Sequence, residues 1–267
     1  MPRRLHIILL VILALASPAG ATPPRRIVSL NLCADQYLIA LADPGQILGI
    51  TRLSHMANMS PVAAQAKHFP AIASSAEALL AAQPDLILTG WPGQADPAVR
   101  AGLKARILVV PPANSYAEIA AQVRMVADAI GHAERGEALL RHMDAELAAI
   151  PKTGRGRTAA DYQRRGYMSG TGTLMDDLMH RVGLVNLATR LGLPPLANLP
   201  LEQFVAHRPD FLITGAGAAR DLGSTMLDHP ALSGIPRLRL PGALADCGGP
   251  SYPAAVRLLS DQLRLKR

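Results

Sequence analysis

The stretch that most constrains this chain is residues 77–90, EALLAAQPDLILTG, because it returns in looser form at 202–215 as EQFVAHRPDFLITG. Glu, Ala, Pro, Asp, Thr and Gly hold the same places in both copies, 125 positions apart. Each copy reads as a short amphipathic helix, a Pro-Asp turn and a buried strand ending on Thr-Gly. Proline stops the helix, since it lacks an N–H and pushes the residue before it out of helical geometry. The apolar runs Leu86-Ile87-Leu88 and Phe211-Leu212-Ile213 suit strands covered on both faces. Copies this far apart predict two similar lobes, whereas a solenoid would repeat every roughly 20–50 residues. Chance likeness of two helix–strand units is the competing reading, because Pro-Asp is a common turn.

The N-terminus reads as an export address. Arg3 and Arg4 precede the apolar run 5–16, which is short for a membrane span, and Ala19-Gly20-Ala21 is a small-x-small cleavage signal. A signal peptide over residues 1–21, cleaved near Ala21, predicts a soluble, exported protein; a retained anchor is the alternative. About 245 residues then remain, enough for one large domain or two small lobes. Hydrophobic residues make up 49% of the chain but aromatics only 3%, so the core must be built from Leu, Ile, Val and Ala. The net charge of +7 comes from scattered basic residues without interleaved aromatics. That pattern argues against nucleic acid and for a solvated basic surface.

In chain order, residues 26–30 read as a first strand, 34–41 as a helix with Asp35 in its first turn, where it suits the helix dipole, and 47–51 as a second strand. This is a β-α-β unit, the building block of parallel sheets. Residues 52–70 read as a long polar loop, a place for ligand contacts. Ser74-x-x-Glu77 and Ser115-x-x-Glu118 are capping boxes, which puts Glu77 at the third helical position; Pro200 as first helical residue puts Glu202 near the same place. A helix to Ile130, a break at Gly131 and a second helix over 133–150, roughly 27 Å long, read as a connector. The second lobe is expected to open with a weak strand at 166–169 and a helix over 174–181.

Taken together, the segment RIVSLNLCADQYLIAL at 26–41, Glu77 with Pro84-Asp85-Leu86-Ile87, the helical linker, and Glu202 with Pro209-Asp210 resemble the periplasmic binding proteins of ABC importers for ferric siderophores, haem and cobalamin. The resemblance covers nearly all of the chain beyond the signal peptide. It implies an α/β fold of two Rossmann-like lobes with parallel sheets, joined by a long rigid α-helix. The divisions it suggests are an N-terminal lobe at 22–115, linker helices at 116–150 and a C-terminal lobe at 151–267. It further implies a non-catalytic monomeric receptor whose small-molecule metal chelate lies between the lobes, with no cofactor of its own. The inner-membrane permease would dock on one exposed glutamate from each lobe, here Glu77 and Glu202, each seven residues before the Pro of its stretch. The competing role of both is to cap their own helices.

Under that fold the cleft candidates are Asn31, Cys33, Arg52, His55, Met56 and Met59 from the first lobe, with Trp91, the single Trp, just past the third strand. Ser169 and Thr171, within the segment 169–173, Arg220, and Cys247 and Tyr252, within the segment 246–252, come from the second. Arg52 or Arg220 can pair bidentately with an anionic group, and His55 can ligate a metal. Cys33 and Cys247 leave three readings open: a disulfide tethering the cleft, two unpaired small residues, or thiolate ligands to a metal complex. A bare zinc or manganese receptor would need three or four clustered ligands, and the histidines are scattered. An exported α/β hydrolase is the alternative from another class. Against it, no G-x-S-x-G, H-E-x-x-H or P-loop is present, and Asp176, Asp177 and His180 read as a surface group on a short helix.

Overall fold

The computed structural model describes residues 22–95, 102–215 and 225–266. The expected signal peptide at 1–21 and the candidate Arg220 lie outside them. Among the described residues the strands are β1 (Ile27–Ser29), β2 (Ile47–Gly49), β3 (Leu86–Thr89), β4 (Arg106–Val109), β5 (Thr158–Asp161), β6 (Tyr167–Ser169), β7 (Val185–Asn186), β8 (Leu196–Asn198), β9 (Phe211–Thr214) and β10 (Arg237–Arg239). They form two parallel four-stranded sheets, ordered β2-β1-β3-β4 and β10-β9-β5-β7, and an antiparallel pair β6-β8. The α-helices are α1 (Leu32–Leu41), α2 (Ala63–Ala66), α3 (Ala76–Ala82), α4 (Tyr116–Ile130), α5 (Ala133–Ala148), α6 (Leu174–Arg181), α7 (Leu187–Arg190), α8 (Leu201–Ala206), α9 (Gly242–Ala245) and α10 (Tyr252–Leu265). The α/β class with two parallel sheets is therefore the observed one.

The two copies of the repeated stretch are α3-β3 and α8-β9, and they sit alike. Leu86 pairs with Ile27 of β1, and Phe211 pairs with Ala159 of β5. Both Pro-Asp turns do the same job. The Asp85 carboxylate accepts from the N–H groups of Arg25 (2.8 Å) and Arg26 (3.0 Å) at the head of β1. The Asp210 carboxylate accepts from the N–H (2.7 Å) and hydroxyl (2.9 Å) of Thr158 at the head of β5. Each thus fixes the neighbouring parallel strand in register with its own. The opening strand of the second half is therefore β5, with the sequence TAAD, and not 166–169, which forms the antiparallel β6. Alanines and an aspartate carry little strand preference, and pairing to β9 supplies what propensity does not.

Helix starts differ from expectation by one residue. Ser75, not Ser74, caps α3, its hydroxyl accepting from the Ala78 N–H at 3.3 Å, and Pro200 is the cap of α8 rather than its first residue. Glu77 and Glu202 both stand at the second helical position. There a carboxylate still faces the positive end of the helix dipole but closes no capping box. Gln83 turns into the left-handed region (φ 44°) ahead of Pro84, which ends α3. The span 52–70, expected to be irregular, holds a 3-10 turn (Arg52–His55) and α2.

Alternation along the strands sends side chains to two faces. Ile27, Leu86 and Leu88 of the first sheet and Ala159, Phe211, Ile213 and Leu238 of the second enter one shared core with α1, α4, α5 and α10. Val28, Leu30 and Ile87 cover the outer face of the first sheet. Ala160 and Leu212 do so on the second, with Tyr162 stacked on Phe204 (centroids 4.0 Å apart). Gly131 (φ 84°) lets α5 fold back along α4, where Gly136 brings the backbones close: a Cβ there would stand 2.6 Å from Ala127 Cβ. The Arg124–Glu137 ion pair (2.6 Å) and the Tyr116 hydroxyl on Asp144 (2.6 Å) bind the hairpin. Of the two, α5, about 24 Å long at 16 residues, leads on to the second sheet. Among the described residues, no helix is long and apolar enough to cross a membrane.

Candidate functional site

Both sheets reverse their strand order between two central strands, β1/β3 in the first and β5/β9 in the second. Ligands of open α/β sheets bind outside the carboxyl ends of the strands at such a switch point. The two switch points are built differently. In the first, the Gln94 amide spans the crevice: its Oε1 accepts from the Gly90 N–H and its Nε2 donates to the Leu30 carbonyl, both at 2.6 Å. Asn31 closes in from the side, and a Cβ on Gly90 would stand 2.3 Å from its Nδ2. In the second, the matching Gly215 has no atom of the described residues within 4 Å of that position. A cavity of about 360 Å³ opens there instead, with Asp161 at the end of β5, Thr214 and Gly215 at the end of β9, Leu240 after β10 and Asp246 after α9.

Asp161 is the floor of this cavity and is 5% exposed. Its Oδ2 accepts from the Ser169 hydroxyl (2.6 Å) and the Gln163 amide (2.9 Å). Burial raises its pKa against these two donors. The Asp246 carboxyl is also raised, first by burial and then by the charge of Asp161. Strand-end acids of this kind carry no sequence signature, and Asp161 was missed because β5 was missed. Asp246 falls within the expected segment 246–252. Of the named candidates, Ser169 reaches this site through its hydrogen bond to Asp161.

The cysteines resolve to a disulfide. Cys33, at the second position of α1, and Cys247 have Cα atoms 5.3 Å apart and are bonded. The thiolate-ligand and unpaired readings are thereby corrected. Around the bridge, the buried Tyr37 hydroxyl donates to the Gly248 carbonyl at 2.9 Å, and Ser251 donates to Gln36 Oε1 at 3.2 Å. The segment 247–251 of the second half is thus seated on α1 of the first, next to the Asp246 wall of the cavity.

Several other candidates have structural partners. Tyr252 is 2% exposed, donates its hydroxyl to Asp177 and lies against the Tyr116 ring (5.3 Å), so it belongs to the packing between halves and not to an open cleft. Of the Asp176, Asp177 and His180 group, expected on the surface, only His180 is exposed. Asp176 is buried and accepts from Asn186 (3.0 Å), Thr189 (2.9 Å) and the Gly172 N–H (3.0 Å). His55 Nε2 meets the Phe69 carbonyl at 3.1 Å, which makes it a donor that pins the loop. Asp35 stands in the first turn of α1, as expected, and is fully buried. Its Oδ2 accepts from the Thr51 N–H (3.0 Å), the Thr51 hydroxyl (2.6 Å) and the Ser54 hydroxyl (2.6 Å), anchoring the turn that carries Arg52, His55 and Met56. Burial outweighs those donors and lifts its pKa to about 6.

Arg52, Met56 and Thr171 are exposed, as is Trp91 at 57%, just past the carboxyl end of β3. Met59 is half-buried. Glu77 and Glu202 are exposed as well. A helix that precedes a parallel strand starts at the carboxyl edge of the sheet, because it must return the chain to the amino edge. Both glutamates therefore stand on the side of their sheets where the switch points open.

The chain matches the family model described as periplasmic binding protein over residues 27–239. Comparison with curated proteins finds no match. Among solved structures it is similar to a possible iron-binding periplasmic solute-binding protein from Staphylococcus epidermidis, at 18% identity and TM-score 0.73 over 90% of this chain and 99% of that one. A periplasmic haem-binding protein from Roseiflexus aligns at 24% identity and TM-score 0.69, over 90% of this chain and 97% of that one. A periplasmic vitamin B12-binding protein from Vibrio cholerae aligns at 18% and 0.63, over 91% and 98%. At these identities the likeness is one of fold.

Proposed function

This chain belongs to the periplasmic binding protein family, a family of non-enzymatic receptors that work outside the cytoplasm, and from that premise we propose that it captures a metal chelate between its two sheets and delivers it to the permease of an ABC importer. The chelate is of the ferric siderophore, haem or cobalamin kind. The solved relatives carry titles naming haem, vitamin B12 and ferric hydroxamate, and each of these is a metal already wrapped in organic ligand. The observation that carries the reading is the open crevice at the second switch point, with an exposed Trp91 at the carboxyl edge of the first sheet. The cavity is at the small end of ligand pockets, which run about 300–1,000 Å³, so a chelate enters it with one arm and leaves its body in the cleft.

Within this reading residues 22–115 are the first lobe, 116–150 the linker helices and 151–267 the second lobe, behind a signal peptide cleaved near Ala21. The body of the chelate meets Asn31, Arg52, Met56, Trp91 and Thr171, and Glu77 and Glu202 dock on cationic residues of the permease. Paired rim charges fix orientation and speed encounter more than they add affinity. A bare-ion receptor is the second reading, and it is disfavoured: among the described residues no three His, Cys, Asp or Glu side chains gather to hold a metal. The test uses Trp91 as its own probe. Haemin, cyanocobalamin and a ferric trihydroxamate absorb where indole emits or near it, so the one that binds quenches Trp91 saturably at one equivalent. Zinc or manganese binding with no response to any chelate would sink the proposal.

A further inference from the structure

We propose that the amino edge of the second sheet carries an oxyanion site, built by Arg155, Arg157 and Arg264, that takes a phosphate group. It lies a strand's length, about 13 Å for the four residues of β5, from the switch point at the other end of that strand, and it does not rest on the receptor reading. A cavity of about 130 Å³ opens there between the turn 153–157 and the last turn of α10, lined by Thr153, Arg155, Arg157, Leu263 and Arg264. That volume is too small for the body of a chelate. It is about four times a water molecule's share of the liquid, which suits one tetrahedral oxyanion. The turn that forms one wall is tied down on both sides, so the cavity is preformed. The Thr153 hydroxyl donates to the Ser260 carbonyl of α10 (3.0 Å), and the Ser260 hydroxyl donates to the Pro151 carbonyl (2.8 Å). The Gly154 and Gly156 N–H groups donate to the Val182 (2.7 Å) and Gly183 (2.8 Å) carbonyls. Between those glycines Arg155 is held at φ 56°, a geometry uncommon for a long side chain.

Arg157 supplies a fixed charge. Its guanidinium donates to the carbonyls of Thr153, Gly154 and Lys266, each at 3.1 Å, and lies 4.6 Å over the Phe211 ring. These partners are uncharged, so they orient the cation without cancelling it. The bond to Lys266 also offsets the negative end of the α10 dipole, and that task needs no second arginine. Arg155 is exposed and, among the described residues, makes no hydrogen bond or ion pair. Arg264 has one ion pair, with the exposed Asp261 at 3.9 Å, a loose surface contact that an incoming anion can displace. Asp210 stands at the same edge but turns its carboxylate to Thr158 and does not line the cavity. Two free guanidinium forks beside a fixed third match the bidentate geometry of phosphate oxygens better than lysines would.

A phosphate group reaches such a site as the free anion or as a lipid headgroup, and the test separates the two. The protein is titrated calorimetrically with inorganic phosphate at constant ionic strength, with chloride as the reference anion. It is also floated with vesicles of phosphatidylglycerol or of phosphatidylcholine. Arg155→Gly removes one fork and gives the left-handed position the residue that suits it, so this variant keeps the fold. Arg264→Gln removes the second fork from an exposed helix face. Saturable phosphate binding at one equivalent is expected, weakened about tenfold by either substitution, as loss of a charge-assisted bond implies. Flotation with phosphatidylglycerol but not phosphatidylcholine, lost in the same variants, assigns the headgroup as the source; phosphate binding without flotation assigns the free anion. Arg155→Lys keeps the charge and loses the fork, and is expected to bind more weakly than wild type. Neither phosphate binding nor selective flotation overturns the proposal. So does binding that the Gly and Gln variants retain unchanged, or that Arg155→Lys retains in full, which would mark diffuse attraction to a basic surface and not a built site.

Discussion

Removing the Cys33–Cys247 bridge is the sharpest perturbation of this architecture. The bond joins positions 214 apart, so it closes almost the whole described chain into one ring. In the chain-entropy treatment, a ring of that length withdraws about 18 cal/mol/K from the unfolded ensemble, or about 5 kcal/mol at 25 °C. Residual structure in the unfolded chain makes this a ceiling. The folded state keeps its other ties at the same place, the Tyr37–Gly248 and Ser251–Gln36 hydrogen bonds, so the loss is expected to show in stability and not in fold. For a chain of this size about 5 kcal/mol corresponds to a fall in Tm of about 10 °C. Calorimetry of the Cys33→Ser, Cys247→Ser double variant, beside wild type with and without reductant, reads it directly. Reductant should lower the wild-type Tm to that of the variant and leave the variant unmoved. A double variant melting within about 2 °C of the oxidised wild type, less than 1 kcal/mol for a chain of this length, would refute the reasoning.

Other residues make further predictions. Asp35 has its pKa raised to about 6, so between about pH 4 and pH 6 the folded chain holds a proton that the unfolded chain has released, and its contribution to stability falls as pH rises, by about 3 kcal/mol in all. The stability of Asp35→Asn relative to wild type, from urea unfolding, should therefore improve by that much from pH 4 to pH 7; a difference that does not change with pH contradicts the assignment. Gly248→Ala places a Cβ 2.5 Å from the Ala113 carbonyl oxygen in a buried seam, and should cost about 1–3 kcal/mol; an unchanged Tm would mean that the seam is loose. Glu77→Ala with Glu202→Ala should abolish stimulation of the importer's ATPase while leaving chelate affinity unaltered; weakened chelate binding would place the glutamates in the wrong role.

How far the sequence could be read depended on whether a feature was local. The two copies at 77–90 and 202–215 located α3-β3 and α8-β9, because helix, proline stop and apolar strand are written in consecutive residues. The deeper role of Asp85 and Asp210, which pin the strands that open each half, is a contact across about 50–60 positions and leaves no local mark. β5 escaped for the same reason, since Thr158–Asp161 is a strand only by virtue of its neighbour. The cap at Ser75 instead of Ser74 reflects two adjacent serines with equal claims. The cysteine pairing could not be decided from spacing, because only the seating of 247–251 on α1 brings the two together. Tyr252 sits in the expected segment but turns inward, and Asp161, outside every motif, turns out to be the cavity floor. Side-chain direction follows from the sheet, and the sheet follows from pairings that a single sequence does not display.

The central claim is that this protein carries a chelate in the periplasm, and native mass spectrometry of the chain recovered from the periplasm of its own host tests it most directly. One equivalent of a metal-bearing small molecule, with the isotope pattern of iron or the mass of a corrinoid and released on unfolding, is the expected result. Recovery with only a bare zinc or manganese ion, retained after exchange into chelate-free buffer and undisplaced by haemin, cyanocobalamin or a ferric hydroxamate, would contradict it.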